Sequence, residues 1–446
     1  MRDSRLRTEL SPQLVRERLS DVGTCAGVLI AYSGGPDSTA LLHCSVQAQL
    51  DVSLTAVHVD HQLHTESADW VRHCKAQCDS FGVELLVRKV CVGTAGVSVE
   101  ADARRARYAA LRELMEPCGV LLTAHTLDDQ AETVLLQLFR GAGVDGLAAM
   151  PRCAQFGAGS HLRPLLGVTR AEVNDYVVRK GLKTLLDPAN TDDRFDRSYL
   201  RREVMPRLAS RWPGIVKTLS RASGHQADAS ALLRTQAQHD LVAVRTARGR
   251  VSATALLSLE PQRRINVLRF WLRAETKFVP PSWVVHRVEA ELLGARGDAV
   301  LMVQWAEFEV RRYRAELHLT PQLSDTVAAE QPWQVPESVE FAHGRMCIEP
   351  TVGAGLRLSD LQQGTLTIGF RVGGERLRPA GSAHTRRLKS LFQEAAVEPW
   401  RRSRIPLILN GKELVAVAGH WVAESHRAVE DEPGLVLSFE DFELDL

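Results

Sequence analysis

The segment AGVLIAY, Ala26 to Tyr32, runs straight into Ser33-Gly34-Gly35-Pro36-Asp37-Ser38, and a helical pattern follows from Ser38 to Gln49. A strand, a glycine turn and a helix N-terminus in that order make an anion site. The turn leaves backbone N–H groups unpaired, and the helix dipole adds positive charge. Gly34 and Gly35 let the backbone approach a phosphate closely, and Ser33 and Ser38 supply hydroxyl donors. Asp37 is the odd member: it either holds a divalent cation or orients a leaving pyrophosphate, or else Asp37 or Ser38 simply caps the helix. The spacing is not that of a P-loop, whose lysine is absent.

Outward from this turn, strand-like runs at Leu54 to Val59, Glu84 to Val90 and Gly119 to Ala124 alternate with helical patterns at Ser67 to Phe81, Glu100 to Glu116 and Asp128 to Phe139. That rhythm predicts a parallel α/β sheet. Helical patterns at Trp212 to Arg245, Leu259 to Ala274 and Trp283 to Gly294 then predict a separate helical domain. It ends in strand-like Ala299 to Leu319 and a polar stretch, Pro321 to Gln334, that reads as a linker. From Val335 onward β-like stretches, Leu366 to Phe370 and Leu414 to Val417, mix with one helix near Arg387 to Glu394. The expected domains are therefore 1–211, 212–334 and 335–446.

At 446 residues, 45% hydrophobic and 24% charged, the chain has material for about three domains. It has no long uncharged apolar run, and MRDSRLRTEL carries no apolar signal region, so a cytoplasmic protein off the membrane is expected. The eight cysteines include no CxxC pair, which argues against a disulfide scaffold and a zinc knuckle.

A second constellation, Thr123 to Thr133, again goes from strand end to helix start. Asp129 and Glu132, three apart, share a helix face and suit an ammonium group or a metal, while Thr126 with Asp129 also fits a capping box. Glu100 and Arg104 start another helix as an ordinary i,i+4 pair, or the arginines there meet phosphates. Gly141 to Gly146 matches GxGxxG but follows a helix instead of a strand, so its glycines end that helix. His58, His61 and His64 leave a strand end, where substrate contact is a better reading than zinc, whose ligands at that spacing suit a helix.

SGGPDS resembles the pyrophosphate loop of the N-type ATP pyrophosphatases, which implies a doubly wound, Rossmann-like parallel sheet with ATP at the carboxyl ends of its strands. With HVDHQL at His58, EADARRARY at Glu100, the long motif from Thr123, DPANTDDRFDRSYLRREVMP at Asp187, RRINVLRFWL at Arg263 and RVGGERLRPAG at Arg371, the chain resembles the tRNA(Ile)-lysidine synthetases over nearly its full length. The resemblance implies ligation of lysine to C2 of the wobble cytidine of a CAU-anticodon isoleucine tRNA. That base is first adenylated by ATP, pyrophosphate and AMP leave in turn, and decoding switches from AUG to AUA. It further implies that Ser33, Gly34, Gly35, Pro36, Asp37 and Ser38 bind ATP, with Mg2+ expected, and that Asp129, Glu132 and Arg197 hold L-lysine. Asp37, Asp129, Glu132 and Arg197 are then the catalytic candidates, and no metal ligands are assigned. Arg197 otherwise reads as an ion-pair partner of Asp193 or Asp196. The chain departs from the family pattern at Thr126, His64, Ala189 and Arg197-Ser198-Tyr199-Leu200-Arg201. A thiolase of the same fold would normally show CxxC pairs, and a protein using ATP only as a structural ligand would survive loss of Asp37.

Between Arg371 and Arg404 nine basic residues face three acidic ones, a net of +6, and from Glu424 to the end the net is −7. The overall charge of +1 thus conceals a basic segment suited to a phosphate backbone. Arg371, Arg376, Arg386, Arg387 and Lys389 are the candidates for tRNA contact, and the resemblance leaves room for a homodimer.

Overall fold

In the computed structural model the described residues are 9–62, 66–90, 99–185, 196–294, 301–323, 329–334, 336–361 and 366–443. The chain divides into two compact units, residues 1–232 and 233–446.

The first unit begins with helix α1 (Pro12–Ser20) and strand β1 (Gly27–Ala31), then α2 (Pro36–Gln47), β2 (Ser53–Asp60), α3 (Ser67–Phe81), β3 (Glu84–Lys89) and α4 (Val99–Glu113). Next come β4 (Val120–Leu122), α5 (Leu127–Phe139), α6 (Val144–Leu147), β5 (Cys153–Phe156), β6 (Gly159–Leu162) and α7 (Arg170–Arg179). Helices α8 (Asp196–Tyr199) and α9 (Met205–Arg211) flank a π-helical stretch, Leu200–Val204, and α10 (Ile215–Val244) follows.

The six strands lie in the order β3-β2-β1-β4-β6-β5. All pair in parallel except β5, which joins β6 antiparallel at the edge. Val28 and Ile30 of β1 face a core built with Leu41 and Leu42 of α2 and Tyr176 of α7, whereas Ala31 faces Leu111 and Met115 of α4. Alternate residues of one strand are thus buried on opposite faces, which is why these strands read as continuous apolar runs and why the sheet is doubly wound, as expected. The strand order reverses between β1 and β4, the switch point at which open sheets of this kind bind ligands beyond the carboxyl ends.

The hairpin β5–β6 and helix α7 were not legible in the sequence. The strands are four residues each, and Gly159 can stand only where it does because a Cβ would lie 2.1 Å from the Gly119 carbonyl oxygen. The GxGxxG match behaves as expected: Gly141, at φ +68, ends α5 with its N–H on the Leu138 carbonyl.

In the second unit, helices Ala253–Leu257, Pro261–Thr276 and Ser282–Arg287 pack with a four-stranded antiparallel sheet around Leu268, Trp271, Val285 and Val310. Residues 329–443 form a five-stranded and a four-stranded antiparallel sheet that share a core of Trp333, Phe341, Met346, Ile368 and Leu437. The helix there is Leu388–Glu394. Gln331–Pro332, read as linker, instead pairs with Leu366–Gly369, because Trp333 beside it is buried in that core. The seven described cysteines are free thiols; Cys44, Cys74 and Cys78 are buried, whereas Cys118 and Cys153 are exposed. Among the described residues no helix is long and apolar enough to cross a membrane.

Candidate active site

The phosphate loop leaves β1 at the switch point. Gly34 adopts φ +79, and a side chain there would meet Leu185 Cδ1 at 2.7 Å and Cys74 Sγ at 3.0 Å, so only glycine fits. The turn is tied internally: Ser33 Oγ lies 3.1 Å from Ser38 Oγ, Ser38 Oγ donates to the Gly35 carbonyl, and Thr39 Oγ1 donates to that of Gly34. Pro36 opens α2, where its missing N–H costs nothing, two residues earlier than the sequence suggested. Among the described residues no acceptor meets the backbone N–H groups of Gly34, Gly35 and Asp37, which leaves a row of donors for an anion. Neither Asp37 nor Ser38 is the N-cap; that position is Gly35, with no side-chain cap.

Asp37 Oδ1 is buried without a hydrogen-bond partner. Burial, followed by the nearby Asp129 carboxylate, pushes its carboxyl up to about 6, against the pull of Arg170 and Arg201. A lone buried carboxylate oxygen beside free N–H donors suits Mg2+, which is commonly bound by one or two carboxylates together with substrate phosphates. Among the described residues no group of three metal-ligating side chains occurs, so such an ion would rely on the phosphates for its other ligands.

On α5 both readings of Thr126 and Asp129 hold at once. Asp129 Oδ2 accepts from the Thr126 N–H at 2.8 Å as half of a capping box, while Oδ1 accepts from Arg170 at 3.0 Å and Arg201 at 3.1 Å. Burial alone would raise Asp129, but Arg170 and the Thr126 amide outweigh it and hold it below the usual range. Glu132, 1% exposed, accepts from Arg201 Nε at 2.9 Å and Arg170 Nη1 at 3.2 Å. Arg197 donates to Thr133 Oγ1 at 2.7 Å, and its Nε lies 3.5 Å from Glu132. Its ion partner is therefore Glu132 and not Asp196; Asp193 lies outside the described residues, as do His64, Asp187, Ala189, Asn190 and the Glu100 side chain.

Sequence reasoning missed Arg170 and Arg201. Arg170 is the first residue of α7, and its N–H donates to Asp128 at 2.8 Å, which seats that helix on α5. Arg201 stands four residues after Arg197 in a helical run, and that spacing was the available signal. His58 serves the backbone: its Nδ1 lies 3.0 Å from the Tyr32 carbonyl, and burial lowers its pKa.

In the second unit the basic segment divides. Arg402 is buried and donates to the Val397 carbonyl, and Arg404 is buried against Asp441 and Glu443. Arg386 is paired with Glu394, and Arg371 lies 3.7 Å from Glu375. Arg376, Arg387 and Lys389 are exposed and in no ion pair among the described residues. The acidic end is no loose tail: Pro433–Asp441 is a strand, and Glu432 pairs with Arg357.

Residues 10–208 match the family model of the PP-loop domain, 252–318 that of the TilS substrate binding domain and 366–439 that of the TilS substrate C-terminal domain. The tRNA(Ile)-lysidine synthase of Methylococcus capsulatus is 38% identical over 418 residues, 92% of this chain and 95% of that one. The chain belongs to the tRNA(Ile)-lysidine synthase family. Other members of the lysidine synthase family give the same picture. The Coxiella burnetii protein is 35% identical over 95% of both chains, and that of Alkalilimnicola ehrlichii 38% over 94% of this chain and 95% of its own. The PP-loop match makes the first unit an ATP-binding domain of this family, and it reaches past Arg201.

Proposed function

We propose that this chain is a ligase that joins lysine to C2 of the wobble cytidine of a CAU-anticodon isoleucine tRNA at the expense of ATP, forming lysidine and changing decoding from AUG to AUA. The observation that carries this is one juxtaposition. Asp37 of the phosphate loop and the acid pair of α5 lie at one end of the sheet, close enough that Asp129, Arg170 and Arg201 all act on the Asp37 carboxyl.

The free N–H groups of Gly34, Gly35 and Asp37, with Ser33 and Ser38, hold the ATP phosphates. A magnesium ion held by Asp37 would offset charge on the departing pyrophosphate. The cytidine O2 attacks the α-phosphorus, pyrophosphate leaves, and C2 becomes bonded to an oxygen that departs as AMP. Asp129 and Glu132 fix the lysine, and its ε-amine attacks C2. Arg197, Arg170 and Arg201, whose forks match carboxylate and phosphate oxygens, orient the acids and face the anions. Positioning supplies most of the acceleration in such a site.

The three family-model matches fall one in each of 1–211, 212–334 and 335–446, which supports a catalytic module followed by two that grip tRNA. The exposed Arg376, Arg387 and Lys389 suit phosphate contact, with Arg371 and Arg386 secondary because each has an acidic partner. A cytoplasmic location accords with this substrate, and a homodimer remains for sedimentation to decide.

The test is transfer of labelled lysine to CAU isoleucine tRNA with ATP and magnesium. Absence of tRNA-bound label, on tRNA that a reference enzyme modifies, would overturn the reading. Asp37→Ala should abolish transfer while tRNA binding persists; unchanged transfer would favour ATP as a mere structural ligand.

A further inference from the structure

His125 leaves β4 immediately before the acid pair, and its ring is held by a chain of hydrogen bonds that determines where its proton sits. Thr123 Oγ1 lies 2.8 Å from His125 Nδ1 and 2.8 Å from His161 Nε2. His161 Nδ1 in turn lies 3.1 Å from Arg163 Nη2. Arg163 is itself fixed, donating through Nη1 to the Pro151 carbonyl at 2.7 Å. Thr123, His161 and Arg163 are all buried.

A guanidinium has donors and no acceptor, so His161 Nδ1 must accept from Arg163. The single proton of neutral His161 is then on Nε2 and is donated to Thr123 Oγ1. That oxygen has one proton of its own, and the acceptor within reach is His125 Nδ1. His125 therefore carries its proton on Nε2. The opposite tautomer would point two N–H groups at Thr123 and strand its hydroxyl proton, a bias of about tenfold or more. The groups that bear on His125 agree with a neutral ring: burial, with Arg163, Arg107 and Arg104, pushes it down to about 3 despite Asp129. Burial and the same arginines hold His161 at about 3. Among the described residues no acceptor takes the His125 Nε2 proton.

We infer that Arg163, through His161 and Thr123, locks His125 as the Nε2-protonated tautomer, so that it serves the reaction as a hydrogen-bond donor to a substrate oxygen and not as a base. Arg163, His161 and Thr123 are positioning residues for His125. The donor role rests on the function proposed above; the lock itself does not. The chain reaches His125 from the hairpin β5–β6, which gives that edge of the sheet a task in the site.

The test is nitrogen NMR of the full chain labelled at histidine, with His125→Gln used to assign the signal. At neutral pH without substrate, His125 should show a bare Nδ1 and a protonated Nε2. Thr123→Val, which keeps the shape and removes the hydroxyl, should mix the tautomers and lower kcat about tenfold with KM for lysine nearly unchanged. Thr123→Ser should return both, and Arg163→Met should behave like Thr123→Val if it folds. A wild-type proton on Nδ1, or an unmoved tautomer in Thr123→Val, overturns the lock. A tautomer that moves as described in a chain that attaches no lysine would leave the lock standing and remove the proposed reaction.

Discussion

Asp37 carries a cost that the site needs. Its carboxyl is raised from 3.8 to about 6, chiefly by burial. Between those values the folded chain holds a proton that the unfolded chain has released, so stability falls as pH rises through that window. At neutral pH the ionised group costs on the order of 3 kcal/mol. Asp37→Asn should therefore raise the urea midpoint at pH 7, and the gain should vanish below the unfolded value; equal midpoints at pH 7 would count against it. Glu132 poses the reverse case. Three guanidinium groups converge on it at 1% exposure, so Glu132→Gln leaves them facing mainly Asp129 and should cost about 3 to 5 kcal/mol. Thermal unfolding and KM for lysine check this together: a lower melting point with unchanged KM would make Glu132 structural only.

At the scale of elements, the N-terminus of α5 depends on Thr126. Thr126→Ala should lose about 1 kcal/mol and loosen Asp129, while Thr126→Ser should keep both, as denaturant titration would show. Gly159→Ala should destabilise by about 2 kcal/mol or more by forcing β6 from Gly119, and should lower kcat because β6 carries His161; full activity would separate the hairpin from the site. The contrast between α5 and this hairpin explains what was legible. Strands β1, β2 and β4 are buried on both faces and announce themselves as apolar runs, and the loops after β1 and β4 carry glycines and acids that few turns require. Strands β5 and β6 are too short for a period to emerge and are specified by a backbone contact, which has no signature in residue type. Arg170 and Arg201 escaped for a related reason: an arginine in a helical turn looks solvated until the partner helix is placed. Arg170 meets Asp129 from 41 residues away in the chain.

Across the whole molecule, the near cancellation of charge is partly literal. Arg404 is buried against Asp441 and Glu443, so one arginine of the basic segment is neutralised by the acidic one. Arg404→Met should destabilise the second unit by about 3 to 5 kcal/mol in calorimetry. Combined Arg376→Ala, Arg387→Ala and Lys389→Ala should leave the melting point alone and flatten the salt dependence of tRNA binding by up to about 0.9 per lost phosphate contact. An unchanged slope would move the RNA footprint elsewhere, and adding Arg386→Ala should change little, because Glu394 already occupies it. The strand that holds those acids, Pro433–Asp441, lies between Gly344–Val352 and Leu356–Arg357 in its sheet. Its partners are synthesised about eighty residues before it. On the ribosome, where domains fold from the N-terminus onward, the ATP-binding sheet can close long before this one. A message truncated shortly before Pro433 would yield a chain with its chemistry assembled and its last sheet missing a central strand, an enzyme equipped to activate a base that it could no longer hold.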